Sequence, residues 1–498
     1  MAEDRSEYPM GFDFTSEERR KLGYRLIDRI DQYFSSLPER NVQLPLDERT
    51  FGHLRDAMPE LAEDAATVLD EACTELVDKG FHVPSANYFG LMNPTPTYMA
   101  VLAEALVSAL NPQLATLARS QLASKIEGET IRWIAERVGW HKKINGEVAP
   151  EGSRACDGTF TSGGNEANFT ALALALAAKF PESVEDGVAA IGARPVGYAS
   201  NESHHSLDKS FGLLGLGRKA LRRVPVNDRI QLDPQALVAR IESDLAAGFR
   251  PFCLIATAGT TNSGAIDNLE ELHAIARTYG MWFHVDGAYG AALIFSDKHR
   301  LLMRGIEKAD SITIDPHKWL AMPFAAGVIL TSRPEMLEQT FGVSTPYMPK
   351  IANAPLIDNF KVSTQWSRRM NSLKLWLTLR VHGRQAYEEL IDSQLKLSHS
   401  MAEWISNSPF LELATQQYLP ILNFRVKGCT NEAACAAANQ AIVEAVTRDG
   451  RVWISNTLVQ GRSVIRMMVI SYLTSERNLE LVQERLTKAA EEAVRKRS

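Results

Sequence analysis

Apolar and polar positions divide the chain into three textures. Over residues 15–37, Leu22, Leu26, Ile30, Tyr33 and Leu37 recur at the spacing of one helix face. Thr15 and Glu18 stand where a capping box would start that helix, and Pro38 closes it. The stripe would pack against its own subunit or against a second one, and the pattern fits either. Polar, capped segments continue to about residue 80. A loop rich in proline and aromatics follows, "YFGLMNPTPTYM" (88–99), and then helical patterns to about residue 140.

From about residue 155 short β-prone runs alternate with helix-like stretches: "GTFTS", "VGYAS", "FCLIATA", "MWFHVDGAY", "SITID" and "GVILTS". That alternation predicts a mostly parallel sheet covered by helices, with ligands at the carboxyl ends of the strands. After about residue 390 the pattern turns α+β and ends in a charged helix over 476–497. The expected division is an N-terminal helical segment (1–100), a large α/β domain (101–390) and a small C-terminal α+β domain (391–498).

Composition narrows the field. The chain has 498 residues, 45% of them hydrophobic and 23% charged, with a net charge of −6 and no basic block. No nucleic acid or anionic membrane is expected as a partner. The first residues, "MAEDRSEYPM", are acidic, and apolar runs such as "ALALALAA" (171–178) are too short to span a bilayer. Cys73, Cys156, Cys253, Cys429 and Cys435 are scattered, without metal-ligand spacing. Reduced thiols in a cytoplasmic protein and no metal are the expectation.

Four stretches carry candidate chemistry. In "TFTSGGNEANFTALALALAAK" (159–179) a strand-like run ends in Ser-Gly-Gly-Asn and a strong helix follows. Glycines let backbone N–H groups approach a ligand, and a helix N-terminus favours an anion, so the Ser162-Gly163-Gly164-Asn165 turn reads as a phosphate cradle. A tight strand-to-helix turn would look the same. Asp286 ends an apolar strand in "WFHVDGAYGAA". A carboxylate there needs a proton or a cation beside it, unless it serves as a helix cap.

Lys318 lies in "SITIDPHKWLAM" (311–322), where Pro316 ends a short strand. Lysine is costly to bury unpaired. One kept among apolar residues loses its proton readily and suits Schiff-base chemistry better than a surface role. "ASNESHHSLDKS" (199–210) sets two histidines after a strand, where an imidazole could lie on a cofactor ring or simply start a helix. "GLLGLG" (212–217) lacks the dinucleotide-binding order and reads as a helix end and turn. Together, a phosphate cradle, a carboxylate and a Schiff-base lysine at strand ends point to pyridoxal 5′-phosphate.

With "TSGGNEAN", "SHHS", "ATAGTTNSGAIDNL", "HVDGAY", "DPHKW" and "SRRMNSLKLWLTLRVHG" in order, the chain resembles the group II pyridoxal-phosphate decarboxylases. That family includes the aromatic L-amino acid, histidine and glutamate decarboxylases. The resemblance implies the type I aminotransferase-like fold and a homodimer with its site at the subunit interface. It implies that Lys318 forms the Schiff base, Asp286 pairs with the pyridine nitrogen, Ala288 packs beneath the ring and His204 stacks on it. Gly164 and Asn165 would hold the phosphate with His317 close by, and Thr260 would lie near the cofactor. Tyr347, in the loop "FGVSTPYMPKIANAP" (341–355), would return a proton to Cα and favour amine over aldehyde. Asp315 stands where several relatives carry a phosphate-contacting asparagine. A carboxylate there repels phosphate unless turned away or paired, so it is left out of the expected set.

The implied substrate pocket holds Leu91 and Met92, with Gln113 and Ala115 from across the dimer, where aromatic-specific relatives carry bulkier groups. An apolar pocket without an arginine cluster favours an aromatic L-amino acid (tryptophan, phenylalanine, tyrosine or dopa) over glutamate. Other readings are a decarboxylase of an aliphatic amino acid or of 2,4-diaminobutyrate, an aldehyde synthase, and a non-catalytic cofactor-binding protein.

Overall fold

In the computed structural model, residues 14–44, 58–142, 150, 153–345, 357–428 and 431–495 are described. The six β-prone runs all form strands of one sheet: Asp157–Thr161 (β1), Arg194–Ser200 (β2), Phe249–Thr257 (β4), Trp282–Asp286 (β5), Ser311–Ile314 (β6) and Gly327–Thr331 (β7). A seventh strand, Leu221–Val224 (β3), completes it. The order across the sheet is β1-β7-β6-β5-β4-β2-β3. β7 runs antiparallel to both neighbours, and the remaining pairs are parallel.

The parallel strands read as apolar runs because helices cover both faces. β5 is buried along its whole length. Helix Gly164–Lys179 lies on one face with eleven residues buried, among them Leu172, Leu174 and Leu176. β3 escaped sequence reading because it is four residues long and carries Arg222 and Arg223 in its middle. It is an edge strand, where charges are tolerated and discourage further pairing. Arg222 meets the buried Asp244, and Arg223 meets Asp208.

At the N-terminus, helix Ser16–Ser36 starts at Thr15, whose side chain accepts the Glu18 N–H while Glu18 accepts the Thr15 N–H in return. None of the helix's residues is buried, and Tyr24 is 60% exposed. "GLLGLG" is a helix end and turn: helix Ser206–Leu213 stops there, and Gly215 and Gly217 take positive φ.

A second sheet is antiparallel, in the order Leu411–Leu413, Ile421–Val426, Arg462–Met468, Ser455–Val459. Helices Glu432–Thr447 and Glu476–Arg495 pack on it. The last helix buries Leu479, Val482, Leu486 and Ala490 at helical spacing. Each buried leucine or valine of that stripe contributes about 1.5–3 kcal/mol. Helix Ser372–Asn407 links the two sheets and breaks its regular geometry at Gly383 (φ 74°).

Among the described residues, no helix is long and apolar enough to cross a membrane. Cys73, Cys156 and Cys253 are free thiols, but Cys435 is disulfide-bonded. This corrects the expectation of five reduced cysteines. Spacing along the chain does not reveal which Cβ atoms approach within bridging distance.

Candidate active site

The carboxyl ends of β4, β5 and β6 lie side by side, with Thr257 paired to Asp286 and Asp286 to Thr313. At these ends a cavity is lined by Asp286, Ala288, Asp315 and Lys318, with His204, Gly164 and Asn165 also on its wall. Gly164 and Lys318, 154 positions apart, therefore converge, as expected for an open parallel sheet.

Asp286 is 5% exposed. Its Oδ2 accepts the Asn168 amide at 2.9 Å, and its Oδ1 accepts the Ala288 N–H at 3.2 Å. Asn168 Nδ2 also reaches Ser206 Oγ at 3.2 Å. Behind it, Asn168 Oδ1 lies 3.0 Å from His284 Nε2, and His284 Nδ1 lies 2.9 Å from Ser311 Oγ. Trp282 Nε1 donates to the same serine oxygen at 2.8 Å. The amide oxygen of Asn168 needs a donor, so His284 carries its proton on Nε2 and accepts from Ser311 on Nδ1. Burial holds His284 neutral, lowering its pKa to about 4. The chain thus delivers only donors to Asp286 and keeps it an acceptor.

Lys318 is half-buried, and its Nζ lies 3.1 Å from Asp315 Oδ2. The turn at Pro316 projects it: the Lys318 N–H bonds to the Asp315 carbonyl, and the Asp315 N–H bonds to the Ala288 carbonyl. His317 is 6% exposed. Its Nδ1 accepts the Ala326 N–H at 3.0 Å, and its Nε2 points toward Asp315 at 3.5 Å. Burial, with Lys318 and Lys374 nearby, drives its pKa down to about 3. His204 stands open to the cavity. Its Nδ1 accepts the Ser206 N–H at 3.1 Å, and desolvation lowers its pKa against the pull of Asp286.

The glycine cradle is tight. A Cβ on Gly164 would come 2.7 Å from Asp315 Oδ2 and 3.2 Å from the Ala288 methyl. One on Gly163 (φ 155°) would meet the His317 ring at 2.9 Å. Only glycine fits at these two positions of the helix start. A flat ring with an acidic N–H, an aldehyde and a phosphate matches this donor set: Asp286 for the N–H, Lys318 for the aldehyde, and the Gly164–Asn165 backbone for the phosphate.

Other expected residues fall differently. Thr260 is buried outside the cavity lining, its hydroxyl engaged with Ser263 Oγ at 2.7 Å and the Ala265 N–H at 3.1 Å. Gly259 and Thr261, on either side, face the cavity instead. Met92 lines the cavity, whereas Leu91 is 43% exposed. Gln113 is exposed and bonds Ser367 at 2.7 Å. Ala115 is 1% exposed, so its methyl group is spent inside its own subunit and has no face for a partner's pocket. Tyr347 lies outside the described residues.

Sequence reading missed Asn168, Ser206 and Tyr289, all in the lining. Asn168 follows Asn165 by three positions, so a helix start at Gly164 sets both on one side, which was a usable signal. Tyr289 stacks on Trp319 with ring centroids 5.0 Å apart. Its buried hydroxyl has no partner among the described residues.

A family model described as the pyridoxal-dependent decarboxylase conserved domain matches residues 45–427. The "Aromatic-L-amino-acid decarboxylase" of Bacillus atrophaeus is 29% identical over 483 residues, covering 96% of each chain. Among solved structures, that of Oryza sativa TDC with PLP and tryptamine superposes with a TM-score of 0.87 at 24% identity, covering 97% of this chain and all of that one. That of mouse CSAD gives 0.87 at 23% identity, covering 96% and 99%. These likenesses carry the fold: the expected type I architecture with a mostly parallel large sheet.

Proposed function

The chain belongs to the pyridoxal-dependent decarboxylase family, and we propose that it converts an aromatic L-amino acid to the amine and CO2. It is a carboxy-lyase that uses pyridoxal 5′-phosphate. When bound, that cofactor supplies the electron-accepting ring for loss of CO2. The observation that carries the site assignment is the Asn168–Asp286 hydrogen bond backed by neutral His284.

Asp286, fed only by donors, would hold a proton on the ring nitrogen, where it would stabilise negative charge that develops during bond cleavage. Lys318 would supply the amine that holds the cofactor's aldehyde. Gly164 and Asn165 present backbone N–H groups to the phosphate, with His317 neutral beside them. Ala288 and His204, both on the cavity wall, would pack against the ring. Tyr347 delivers the proton to Cα.

The lining favours an aromatic side chain over one with a second carboxylate. Among the described residues, Lys318 is the only cation on the cavity wall, and no arginine lies there to meet a second carboxylate. Met92 offers an apolar surface beside it. A homodimer belongs to the same reading. Helix Ser16–Ser36 has no fully buried residue within its own subunit, and Leu22 and Leu26 line an open apolar groove that a second copy would cover. The three-part division at residues 100 and 390 and a cytoplasmic setting complete the proposal.

The test is product analysis by mass spectrometry after incubating the cofactor-loaded protein with a panel of L-amino acids. Amine from tryptophan, phenylalanine, tyrosine or dopa is expected. Aldehyde with ammonia would remove the role of Tyr347. Amine solely from an aliphatic amino acid or diaminobutyrate would keep the mechanism and discard the pocket argument.

A further inference from the structure

Asp315 is buried in the cavity wall, 3% exposed, and has no task in the reaction above. Its Oδ2 lies 3.1 Å from Lys318 Nζ and 3.5 Å from His317 Nε2, and it packs on Gly164 so closely that an added Cβ there would come within 2.7 Å. Its Oδ1 is buried without a hydrogen-bond partner among the described residues. Gly164 and His317 are the groups assigned above to the cofactor's phosphate. Two anions would therefore draw on the same donors. Like charges a few ångströms apart in a buried site do not both stay ionised.

We propose that Asp315 couples phosphate binding to proton uptake: as the phosphate enters the Gly164 cradle, the Asp315 carboxyl group takes one proton from solvent. The inference rests on the assignment of Gly164 and His317 to the phosphate. The uncharged carboxyl group no longer repels the phosphate, and its hydroxyl becomes a donor in a cradle otherwise built of donors. No other bond forms or breaks in the step.

The charged and titratable groups around Asp315 leave it as the one that changes. Lys318, Asp286, His317 and His204 face it, and Lys374 lies beyond His317. His317 is held to about 3 and His204 is also lowered, so neither imidazole gains a proton near pH 8. Glu166, on the same helix as Gly164, is turned to Ser162, Thr364 and Gln365. Burial and the Asp286 charge already press Asp315 toward its protonated form, against the pull of Lys318.

Calorimetry in buffers of different ionisation enthalpy counts protons exchanged on binding. The full-length protein, stripped of cofactor, is titrated at pH 8 with pyridoxal 5′-phosphate, whose free phosphate is by then a dianion. Wild type should take up about one proton more per cofactor bound than Asp315→Asn. Its affinity should also fall relative to the variant by up to ~10-fold per pH unit as pH rises. Equal proton counts and parallel pH profiles would overturn the proposal. If the variant does not fold, wild type is compared with pyridoxal, which lacks the phosphate. Uptake with pyridoxal phosphate alone supports the proposal, and equal uptake with both ligands overturns it. A wild-type protein that gives no new visible absorbance with the cofactor would sink the Lys318 assignment instead, and this inference with it.

Discussion

Asn168 Nδ2 donates to Asp286 Oδ2 at 2.9 Å, across 118 positions of sequence. The helix whose first turn is proposed to hold the phosphate thereby also orients, one turn later, the carboxylate proposed for the ring nitrogen. Cradle and carboxylate are fixed relative to each other by a single rigid element.

Asn168→Leu should leave one oxygen of Asp286 without its donor and His284 without its acceptor. Leaving buried polar groups unpaired costs about 1–3 kcal/mol. Cofactor affinity and kcat/KM should fall together by roughly 10- to 100-fold. Titration of cofactor absorbance alongside steady-state kinetics measures both. Unchanged affinity would mean Asp286 keeps its orientation without this bond.

Lys318→Ala removes the only amine among the described residues on the cavity wall. The visible absorbance of the bound cofactor and the turnover should both vanish, while the melting temperature of the cofactor-stripped protein stays close to wild type. Persisting colour and turnover would place the covalent site elsewhere.

Arg368 and Glu127 form a two-pronged ion pair, at 2.6 and 2.7 Å, with side chains only 1% and 4% exposed. Removing one partner leaves the other charged in the interior, at a cost of about 3–5 kcal/mol. Arg368→Ala should lower the denaturant midpoint accordingly. Pairing Arg368→Met with Glu127→Leu should recover most of the loss. A single variant as stable as wild type would show that water reaches the pair.

Stability should fall on acidification below about pH 6.5. His284 is held to about 4 and His317 to about 3 in the folded protein, whereas an unfolded histidine titrates near 6.5. Between those values the unfolded chain binds more protons, so ΔG of unfolding rises with pH and is lost as pH drops. Each group contributes a slope of up to ~1.4 kcal/mol per pH unit. Urea unfolding at pH 4.5–7.5 should show this, with a shallower slope for His284→Gln. Identical slopes would mean His284 is not buried neutral.

The sequence by itself determined the strand runs, the helix caps and the chemistry placed at strand ends. These are local: apolar runs must be covered, a Thr–Glu pair satisfies orphan N–H groups, and glycines mark a cradle wherever they fold. Lys318 and Asp286 stood out because each is costly to bury without a partner, Gly164 because a glycine at a helix start admits a ligand, and His204 only through the family resemblance. Tertiary structure alone decided the partners. It turned Thr260 away onto Ser263 and buried Ala115 in its own subunit. It also supplied Asn168 and His284 behind Asp286 and pulled Asp315 into the cradle. These outcomes depend on how strands and a helix many residues apart come into register, and sequence spacing does not encode those distances.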